Sequence, residues 1–223
     1  MIIHKEKHFV ICQKPAGVPS QKSSDGKESM IELIAKELNT SPDSVYPIHR
    51  LDKPVGGVMV YAITKEGASA LSKTVAESKM QKRYLAVLCG KPEEKEAVLK
   101  DLLFKDSTKN KSYVVKRMRK GVKEASLEYK LLQTAMHNGE TYSLAEILLH
   151  TGRTHQIRVQ FASRKLPLTG DRKYGSGKDE LPLGLWSYSL EFLSPFDGST
   201  NVHFDKKPPR NEYPWKIFDL DNI

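Results

Sequence analysis

The chain has 223 residues, and its 36 Lys and Arg against 27 Asp and Glu give a formal net charge of +9 at pH 7. The length suits one large domain or two small lobes around a shared core. The longest apolar run, Gly57 to Ile63, is far too short to cross a bilayer, and Met1 to Lys7 lacks the apolar stretch of a signal peptide. Two distant cysteines, Cys12 and Cys89, favour a reducing compartment, so we expect a cytoplasmic protein.

The first part of the chain predicts short strands and two helices. His8 to Cys12 is apolar and β-branched, which indicates a strand. Apolar residues at helical spacing predict a helix over Ser29 to Leu38, and Val45 to Ile48 is typical of a brief extended segment. Gly57 to Ile63 predicts a strand that is covered on both faces. Thr64 can N-cap the helix that follows. The buried stripe of that helix is marked by Ala68, Leu71 and Val75.

The second part of the chain predicts more strands and one helix. Arg83 to Leu88 indicates a strand. Leu127 to Leu132 and Tyr142 to Leu149 predict two further strands, with an Asn-Gly dipeptide between them that favours a hairpin turn. Thr154 to Ser163 predicts a helix, and Leu185 to Leu193 is the last clear strand candidate.

The order of these elements indicates the fold class. The strands mostly follow one another without intervening helices, so we predict an α+β fold with a mixed, mainly antiparallel sheet flanked by helices. No repeat or flexible linker divides the chain. We therefore expect a single domain over residues 1–223.

Positive charge is concentrated in one segment, which we call the basic segment. Its cations are Lys105, Lys109, Lys111, Lys116, Arg117, Arg119, Lys120 and Lys123. A solvated charged face usually mixes both signs, whereas few acids occur here. The pattern therefore favours a nucleic-acid partner over an ordinary basic surface.

Asp52 is the first candidate for catalysis. It follows His49 and Arg50 in a segment that continues through Gly56-Gly57 into an apolar strand. A carboxylate on a loop at a strand's mouth is a common position for a nucleophile or a base. The alternative is a turn-forming or helix-capping Asp, which is frequent in loops.

A second polar cluster, Thr151 to Arg158, supplies cations that could hold Asp52 ionised. Arg158 is at the border of the apolar face of its helix, where a guanidinium needs a partner. The hydroxyls and N–H groups of Thr151 to Thr154 would suit an anion. His155 fits a phosphate contact or a structural donor better than a base. Tyr84, on its predicted strand, could equally be an ordinary core tyrosine.

The sequence contains no metal-ligand spacing, no glycine-rich phosphate loop and no Gly-x-Ser-x-Gly motif. We therefore expect no metal and no cofactor. The pattern indicates chemistry led by one carboxylate.

These motifs, taken together and in order, are similar to those of RNA pseudouridine synthases of the RluA type. The matching segments are Phe9 to Gly17, His49 to Asp52, Lys82 to Leu88, Thr151 to Arg158 and Pro167 to Gly175. The similarity runs from about residue 8 to residue 195, which makes it far more specific than any single motif.

The resemblance implies an isomerase that converts uridine in rRNA or tRNA to pseudouridine. The uridine is flipped into a pocket, and Arg50 helps to occupy the vacated space. Asp52 acts on the ribose, by attack at C1′ or by removal of a C2′ proton. Arg158 pairs with Asp52 and favours its charged form, while Tyr84 packs on the uracil. The same cleft would hold all three catalytic side chains.

The chain departs from the family's pattern in one place. It has Val55-Gly56-Gly57 where the family usually has Thr-Ser-Gly, and we expect the lost hydroxyls to affect loop geometry rather than chemistry. We also expect no separate N-terminal RNA-binding domain, so that affinity would come from a monomeric catalytic domain. The predicted RNA-contact residues are Arg50, Arg153, His155, Gln156, Lys116, Arg117, Arg119 and Lys120.

Two other functions compete with this interpretation. One is an RNA-binding or assembly module on the same fold that no longer catalyses. The other is a nucleosidase, although glycosidic hydrolysis commonly needs two carboxylates or a metal.

Overall fold

The computed structural model describes residues 1–22, 26–175 and 181–223. The chain folds into two compact units. The first contains Met1–Lys82 and Trp186–Pro208, and the second contains Arg83–Leu185 and Pro209–Ile223. The single functional domain expected from the sequence stays a prediction.

The described residues form the following elements in chain order. The strands are β1 (Ile2–Lys5), β2 (Phe9–Lys14), β3 (Tyr46–Pro47), β4 (Gly56–Ala62), β5 (Gln81–Cys89), β6 (Glu96–Asp106), β7 (Lys111–Val115), β8 (Val122–His137), β9 (Glu140–Leu149), β10 (Leu185–Leu193) and β11 (Asn201–Asp205). The helices are α1 (Met30–Leu38), α2 (Lys65–Ala76) and α3 (Gln156–Ala162). Short 3-10 turns are at Pro42–Ser44 and Trp215–Ile217.

The first unit is built around β4, which is buried along its whole length, as its continuous apolar sequence predicts. β2 pairs with β4 antiparallel and β10 pairs with it in parallel, while β1 and β11 extend the two sides. Helix α2 closes one face, with Leu71 in the core. Other core side chains are Phe9, Ile11, Val58, Val60, Leu190 and Phe192.

The second unit is an antiparallel array in the order β5-β9-β8-β6-β7. The turn between β8 and β9 contains Asn138 and Gly139, both with positive φ, which is the hairpin geometry that this dipeptide favours. Helix α3 packs its buried Ile157 and Phe161 inward, and the Phe161 ring meets Tyr129 edge-on at 5.4 Å. Mixed and mainly antiparallel pairing within the units confirms the α+β fold class.

Several features differ from the sequence-based prediction, which also lacks strand β1 (Ile2–Lys5). β6 and β7 are absent from it, because lysines on their outer faces hide the apolar alternation. β8 extends well beyond the predicted Leu127 to Leu132. The predicted helix over Thr154 to Ser163 begins only at Gln156, because His155 has a φ of 54°, in the left-handed region.

The two glycines at the start of β4 allow β10 to approach closely. A Cβ added to Gly56 would lie 2.3 Å from Cζ3 of Trp186, and one added to Gly57 would lie 2.1 Å from the Ser187 carbonyl oxygen. Gly57 also has a φ of 122°, which side chains other than glycine rarely adopt. The Val-Gly-Gly sequence is therefore matched to Trp186 and Ser187 on the neighbouring strand.

Replacing Gly56 by Ser should lower the free energy of unfolding by about 1–3 kcal/mol, because the new Cβ overlaps the Trp186 ring. Gly152→Ser is the control, since a Cβ there meets nothing within 4 Å. Urea unfolding measures the free energy of unfolding of both variants. Combining Gly56→Ser with Trp186→Leu should cost less than the sum of the two single changes. Simple additivity would contradict the proposed steric match.

Candidate active site

The loop that carries Asp52 is fixed by its neighbours in the first unit. The Leu51 N–H donates to Ser20 Oγ at 3.1 Å, and that hydroxyl donates to the Leu51 carbonyl at 2.8 Å. The Val55 N–H donates to the Asp52 carbonyl at 2.9 Å and closes a tight turn. Leu51 is buried, whereas Asp52 is only half-buried. The turn thus holds the Asp52 backbone while leaving part of its side chain accessible.

Lys14, at the end of β2, holds the same turn from inside. Its side chain is fully buried, and Nζ donates to the carbonyl of Pro15 at 3.0 Å. Nζ also donates to the carbonyls of Lys53 at 3.0 Å and Val55 at 2.6 Å. A buried ammonium is stable only when its donors are used, and these three carbonyls use all of them. Lys14 therefore fixes two backbone positions within the turn, Lys53 and Val55.

Lys14 and Asp52 also interact through their charges. Burial lowers the pKa of Lys14 from 10.5 to about 8, while the negative charge of Asp52 opposes this shift. Lys14 therefore carries its proton at neutral pH, and its charge interacts with that of Asp52. The sequence contains Lys14 in the motif Phe9 to Gly17, but its spacing from Asp52 gives no sign that the two residues meet.

His49 anchors the other end of the loop. Its Nε2 accepts a hydrogen bond from the Val60 N–H at 3.2 Å. Burial, and to a smaller extent the charge of Lys82, lower the pKa of His49 to about 3. The ring is therefore neutral at physiological pH and has a structural role. Arg50, the next residue, is exposed, as a side chain that contacts RNA needs to be.

In the second unit, Arg158 makes a two-pronged contact with Asp171. Nε donates to Oδ2 and Nη2 donates to Oδ1, both at 2.8 Å, and the side chains are only 7% and 0% exposed. Oδ1 of Asp171 also accepts the N–H groups of Lys173 and Tyr174 at 3.0 Å. Burial raises the pKa of Asp171, but Arg158 and these donors outweigh it and lower the pKa overall. The predicted partnered state of Arg158 is confirmed, and the partner seen is Asp171.

Tyr174 lies against the same guanidinium and connects it to His155 and β7. The Tyr174 ring centroid is 5.3 Å from Cζ of Arg158 and 5.1 Å from Nζ of Lys111. Its hydroxyl accepts the Ser112 N–H at 2.7 Å and hydrogen-bonds Nδ1 of His155 at 2.9 Å. This contact gives His155 a structural role; its predicted contact with RNA stays a prediction.

The loop before α3 is held by Gln156, which is buried. Its Oε1 accepts the Thr151 hydroxyl at 2.7 Å and the Arg153 N–H at 3.0 Å, and its amide group donates to the Ser126 carbonyl at 3.1 Å. These groups are therefore satisfied within the protein. The prediction that the Thr151 hydroxyl and the Arg153 N–H bind an anion is therefore wrong, because both groups donate to Gln156. Direct RNA contact by Gln156 stays a prediction.

The remaining site residues lie as follows. Tyr84 is buried on β5 and pairs with Ile147 of β9. Arg153 is exposed, and its Nε donates to the Glu124 carbonyl at 2.9 Å. The other predicted RNA contacts, all exposed, are Lys116, Arg117, Arg119 and Lys120.

The structure groups the predicted residues by unit. Arg50 and Asp52 belong to the first, and Tyr84 and Arg158 belong to the second. The predicted pairing of Arg158 with Asp52 stays a prediction. Sequence reasoning included Lys14, Asp171 and Tyr174 only as members of motifs and gave none of them a role.

Comparison with known proteins identifies the family. A model of the RNA pseudouridylate synthase family matches residues 8–163. This stretch is most of the chain and includes Asp52, Tyr84 and Arg158. The chain belongs to this family. It is an RNA pseudouridine synthase, an enzyme of the isomerase class, and its substrate is RNA.

Curated relatives extend the match. The chain is 32% identical to the tRNA pseudouridine synthase C of Vibrio parahaemolyticus, covering 87% of this chain and 85% of that protein. It is 34% identical to the ribosomal large subunit pseudouridine synthase C of Buchnera aphidicola, over 80% of this chain but only 55% of that protein. The structure of human RNA pseudouridylate synthase domain containing 1 has the same fold, with a TM-score of 0.77 at 20% identity, over 93% of this chain and 83% of that one.

The described ranges contain neither a cluster of metal-ligand side chains nor a membrane-spanning helix. Within residues 1–22, 26–175 and 181–223, no three His, Cys, Asp or Glu side chains cluster as metal ligands would. In the same ranges, no helix has the length and apolar character needed to span a membrane.

Lys14→Met should lower the free energy of unfolding by about 1–3 kcal/mol at pH 7, because the carbonyls of Pro15, Lys53 and Val55 lose their donor. The folded wild type releases the Lys14 proton near pH 8, whereas the unfolded chain releases it near 10.5. The unfolded state therefore binds more protons between these values, so the wild type gains stability as pH rises and the gap to the variant widens.

Urea unfolding from pH 7 to 10 measures this gap, and Lys65→Met, at an exposed site in the same unit, is the control. A gap that stays constant over this range would contradict the depressed pKa of Lys14.

Asp171→Asn should lower the free energy of unfolding by about 3–5 kcal/mol at pH 7, because it leaves the buried guanidinium of Arg158 without its counter-charge. The depressed pKa of Asp171 means that its stabilisation is complete above the pKa of an unfolded Asp and is lost as pH falls through the folded value. The difference from the wild type should therefore narrow in acid, as urea unfolding at several pH values will show.

The matched control is Asp101→Asn, which removes a similar pair with Arg164 whose side chains are 12% and 34% exposed. Asp101→Asn should lower the free energy of unfolding by no more than about 1 kcal/mol. If both variants lost the same free energy of unfolding, the burial of the Arg158–Asp171 pair would not add to its contribution to stability.

Proposed function

We propose that this synthase isomerises uridines in structured RNA, with Asp52, Tyr84 and Arg158 as its catalytic residues. The observation that carries the proposal is the family match over residues 8–163, which includes all three. The loop geometry supports it, because Asp52 is held on a braced turn beside a buried cation.

The reaction breaks the C1′–N1 bond of the uridine and forms a C1′–C5 bond. C5 then loses its proton and N1 gains one, so the product is an isomer of the substrate. Uridine cannot react while stacked, so it must first leave the helix at a cost of about a few kcal/mol. Asp52 acts on the ribose, through attack at C1′ or removal of a C2′ proton, and either role requires a carboxylate. The ammonium of Lys14 interacts with the Asp52 side chain through charge.

The roles of the other two residues follow from their environments. Arg158 is held in a fixed orientation by Asp171, so its charge is preorganised rather than mobile. Tyr84 is a largely buried aromatic side chain that suits packing against a uracil ring. Arg50 is exposed, which supports the proposal that it enters the RNA stack as the uridine leaves.

The RNA surface proposed for the second unit joins the basic segment to Arg153. Ser112 of β7 donates its hydroxyl to the Thr154 carbonyl at 2.7 Å, and Arg153 donates to the Glu124 carbonyl of β8. Lys111 stacks on Tyr174, which contacts Arg158. The cations therefore continue from the basic segment to the neighbourhood of a proposed catalytic residue, as a path for the phosphate backbone requires.

We propose tRNA as the first substrate class to test and rRNA as the second. The relative matched over most of both chains carries a tRNA name, whereas the ribosomal relative is covered over little more than half its length. We also propose a monomeric enzyme in the cytoplasm, which is consistent with Cys12 and Cys89 being thiols rather than a disulfide.

Asp52→Asn should keep the fold and lower pseudouridine formation by at least about 100-fold, because an amide cannot serve as nucleophile or base. The measurement is chemical detection of pseudouridine after incubation with tRNA and rRNA. Asp43→Asn, at an exposed position of the same unit, should leave turnover unchanged. Full activity of a folded Asp52→Asn protein would overturn the assignment.

Replacing the four cations Lys116, Arg117, Arg119 and Lys120 by Gln should weaken RNA binding and flatten its salt dependence. Each lost phosphate contact reduces the slope of log K against log salt by about 0.7–0.9, so the expected loss is about 3. The control removes the same charge from the other unit, at Lys5, Lys7, Lys65 and Lys73. If the two variants had equal slopes of log K against log salt, the basic segment would not be the RNA-binding surface.

A further inference from the structure

The sheet of the second unit has a covered face and an open face at β6 and β7. On the covered face, Leu103 of β6 packs with Val159 of α3, and Val114 of β7 packs against them. Side chains alternate along a strand, so the residues next to Leu103 and Val114 point to the other face. On that face Tyr113 is 37% exposed and Val98 is 52% exposed. The face opposite α3 is therefore open to solvent.

Two aromatic side chains are neighbours on this open face. Phe104 and Tyr113 are directly opposite each other in the antiparallel register of β6 and β7. Residues paired in this way point to the same face, with Cβ atoms about 4.5–5.5 Å apart. Phe104 is half-buried, whereas Tyr113 is exposed on β7, the last strand of the array. One accessible ring therefore lies beside a second ring that is more firmly packed.

Two cations lie against these rings. The guanidinium of Arg119 lies over the Phe104 ring, with Cζ 5.0 Å from the ring centroid, and Nζ of Lys111 is 5.9 Å from the centroid of Tyr113. The Val122 N–H donates to the Arg119 carbonyl at 3.0 Å, and Val122 pairs with Phe104. The Arg119 backbone is thus fixed beside the strand that carries the ring. Planar groups held in this way lose little entropy when a ligand stacks on them.

We propose that Phe104, Tyr113 and Arg119 form a stacking platform for unpaired bases of the RNA. One base stacks on the Tyr113 ring, and the next stacks on the guanidinium plane of Arg119, which the Phe104 ring supports. Aromatic rings on an open sheet and Arg planes are general means of binding single-stranded RNA. The platform acts through affinity for the RNA strand and not on the target uridine. This inference rests on the proposed function and names the part of the substrate that the second unit binds.

Charge favours RNA over a protein as the occupant of the platform. Lys111 and Arg119 lie against the rings, and the exposed cations Lys116, Arg117 and Lys120 belong to the same loop as Arg119. The core of a protein interface is depleted of charge, particularly of lysine. A strand of RNA instead needs cations beside its stacked bases, because each nucleotide carries a phosphate.

Acids on the open face limit the platform to one end of it. Glu124 and Glu128 follow on β8, and Glu128 lies opposite Val98. Asp106 lies opposite Lys111, but its Oδ1 accepts two backbone N–H groups of the turn between β6 and β7. A carboxylate beside Val98 disfavours a phosphate backbone there, although Val98 is more exposed than the platform's own tyrosine. Val98 is therefore a suitable control.

The experiment measures binding to two RNAs that contain no uridine, so that affinity is independent of catalysis. One is a single-stranded oligoadenylate of about 12 nucleotides, and the other is a duplex of guanosine and cytidine of similar length. Tyr113→Ala should weaken binding of the single strand by about tenfold, because a stacked base loses its ring, and of the duplex by less than about twofold. The slope of log K against log salt should stay the same, since stacking releases no counterions.

Further variants separate the ring and the guanidinium plane from bulk and charge. Tyr113→Phe should keep the affinity for the single strand within about twofold, whereas Tyr113→Leu should lose as much as Tyr113→Ala. Arg119→Lys should weaken that binding by about fivefold with an unchanged salt slope, because an ammonium keeps the charge but has no plane. Val98→Ala should change neither affinity.

The possible failures are distinguishable. Equal affinities of the wild type and Tyr113→Ala for the single strand would overturn the platform, as would equal losses on both RNAs, which indicate a backbone contact. A wild type that binds no oligoadenylate would also overturn it, while pseudouridine formation in tRNA and rRNA tests the proposed function separately. If Tyr113→Ala dissociated a wild-type dimer, the open face would belong to a second copy of the chain and the platform would fall. A loss confined to the single strand supports the platform.

Discussion

A buried ammonium group holds the turn on which the proposed catalytic carboxylate lies. Lys14 donates to the carbonyls of Pro15, Lys53 and Val55, and the last two belong to the turn that begins at Asp52. Burial lowers the pKa of Lys14, and the negative charge of Asp52 opposes that shift. One lysine therefore both braces the turn and interacts with the charge of the acid.

The second unit uses the same principle with the signs reversed. There the buried carboxylate of Asp171 fixes the guanidinium of Arg158, and Tyr174 packs against the guanidinium. Each proposed catalytic charge thus has a buried partner of opposite sign that does not itself need to touch the substrate. Such preorganised charges avoid reorganisation during the reaction, which is a major source of catalytic power.

Local sequence signals were sufficient for much of the fold. The apolar run of β4 and the Asn138-Gly139 turn follow from short-range chemistry. β6 and β7 do not, because their exposed lysines obscure the alternation. The roles of Lys14 and of Gly56 depend on residues remote in sequence, so no pattern of neighbouring residues reveals them. Family resemblance named the catalytic residues, but only the structure shows what holds them in place.

The most direct test of this account is the pKa of the Lys14 ammonium, measured by nitrogen NMR in the wild type and in Asp52→Asn. The account predicts a value of about 8 in the wild type, well below the ordinary 10.5. It also predicts a further fall in the variant, because the negative charge that supports the ammonium has been removed, and no change in Asp43→Asn. A Lys14 pKa that is ordinary, or that is the same with and without the Asp52 charge, would contradict the coupling on which the proposed site depends.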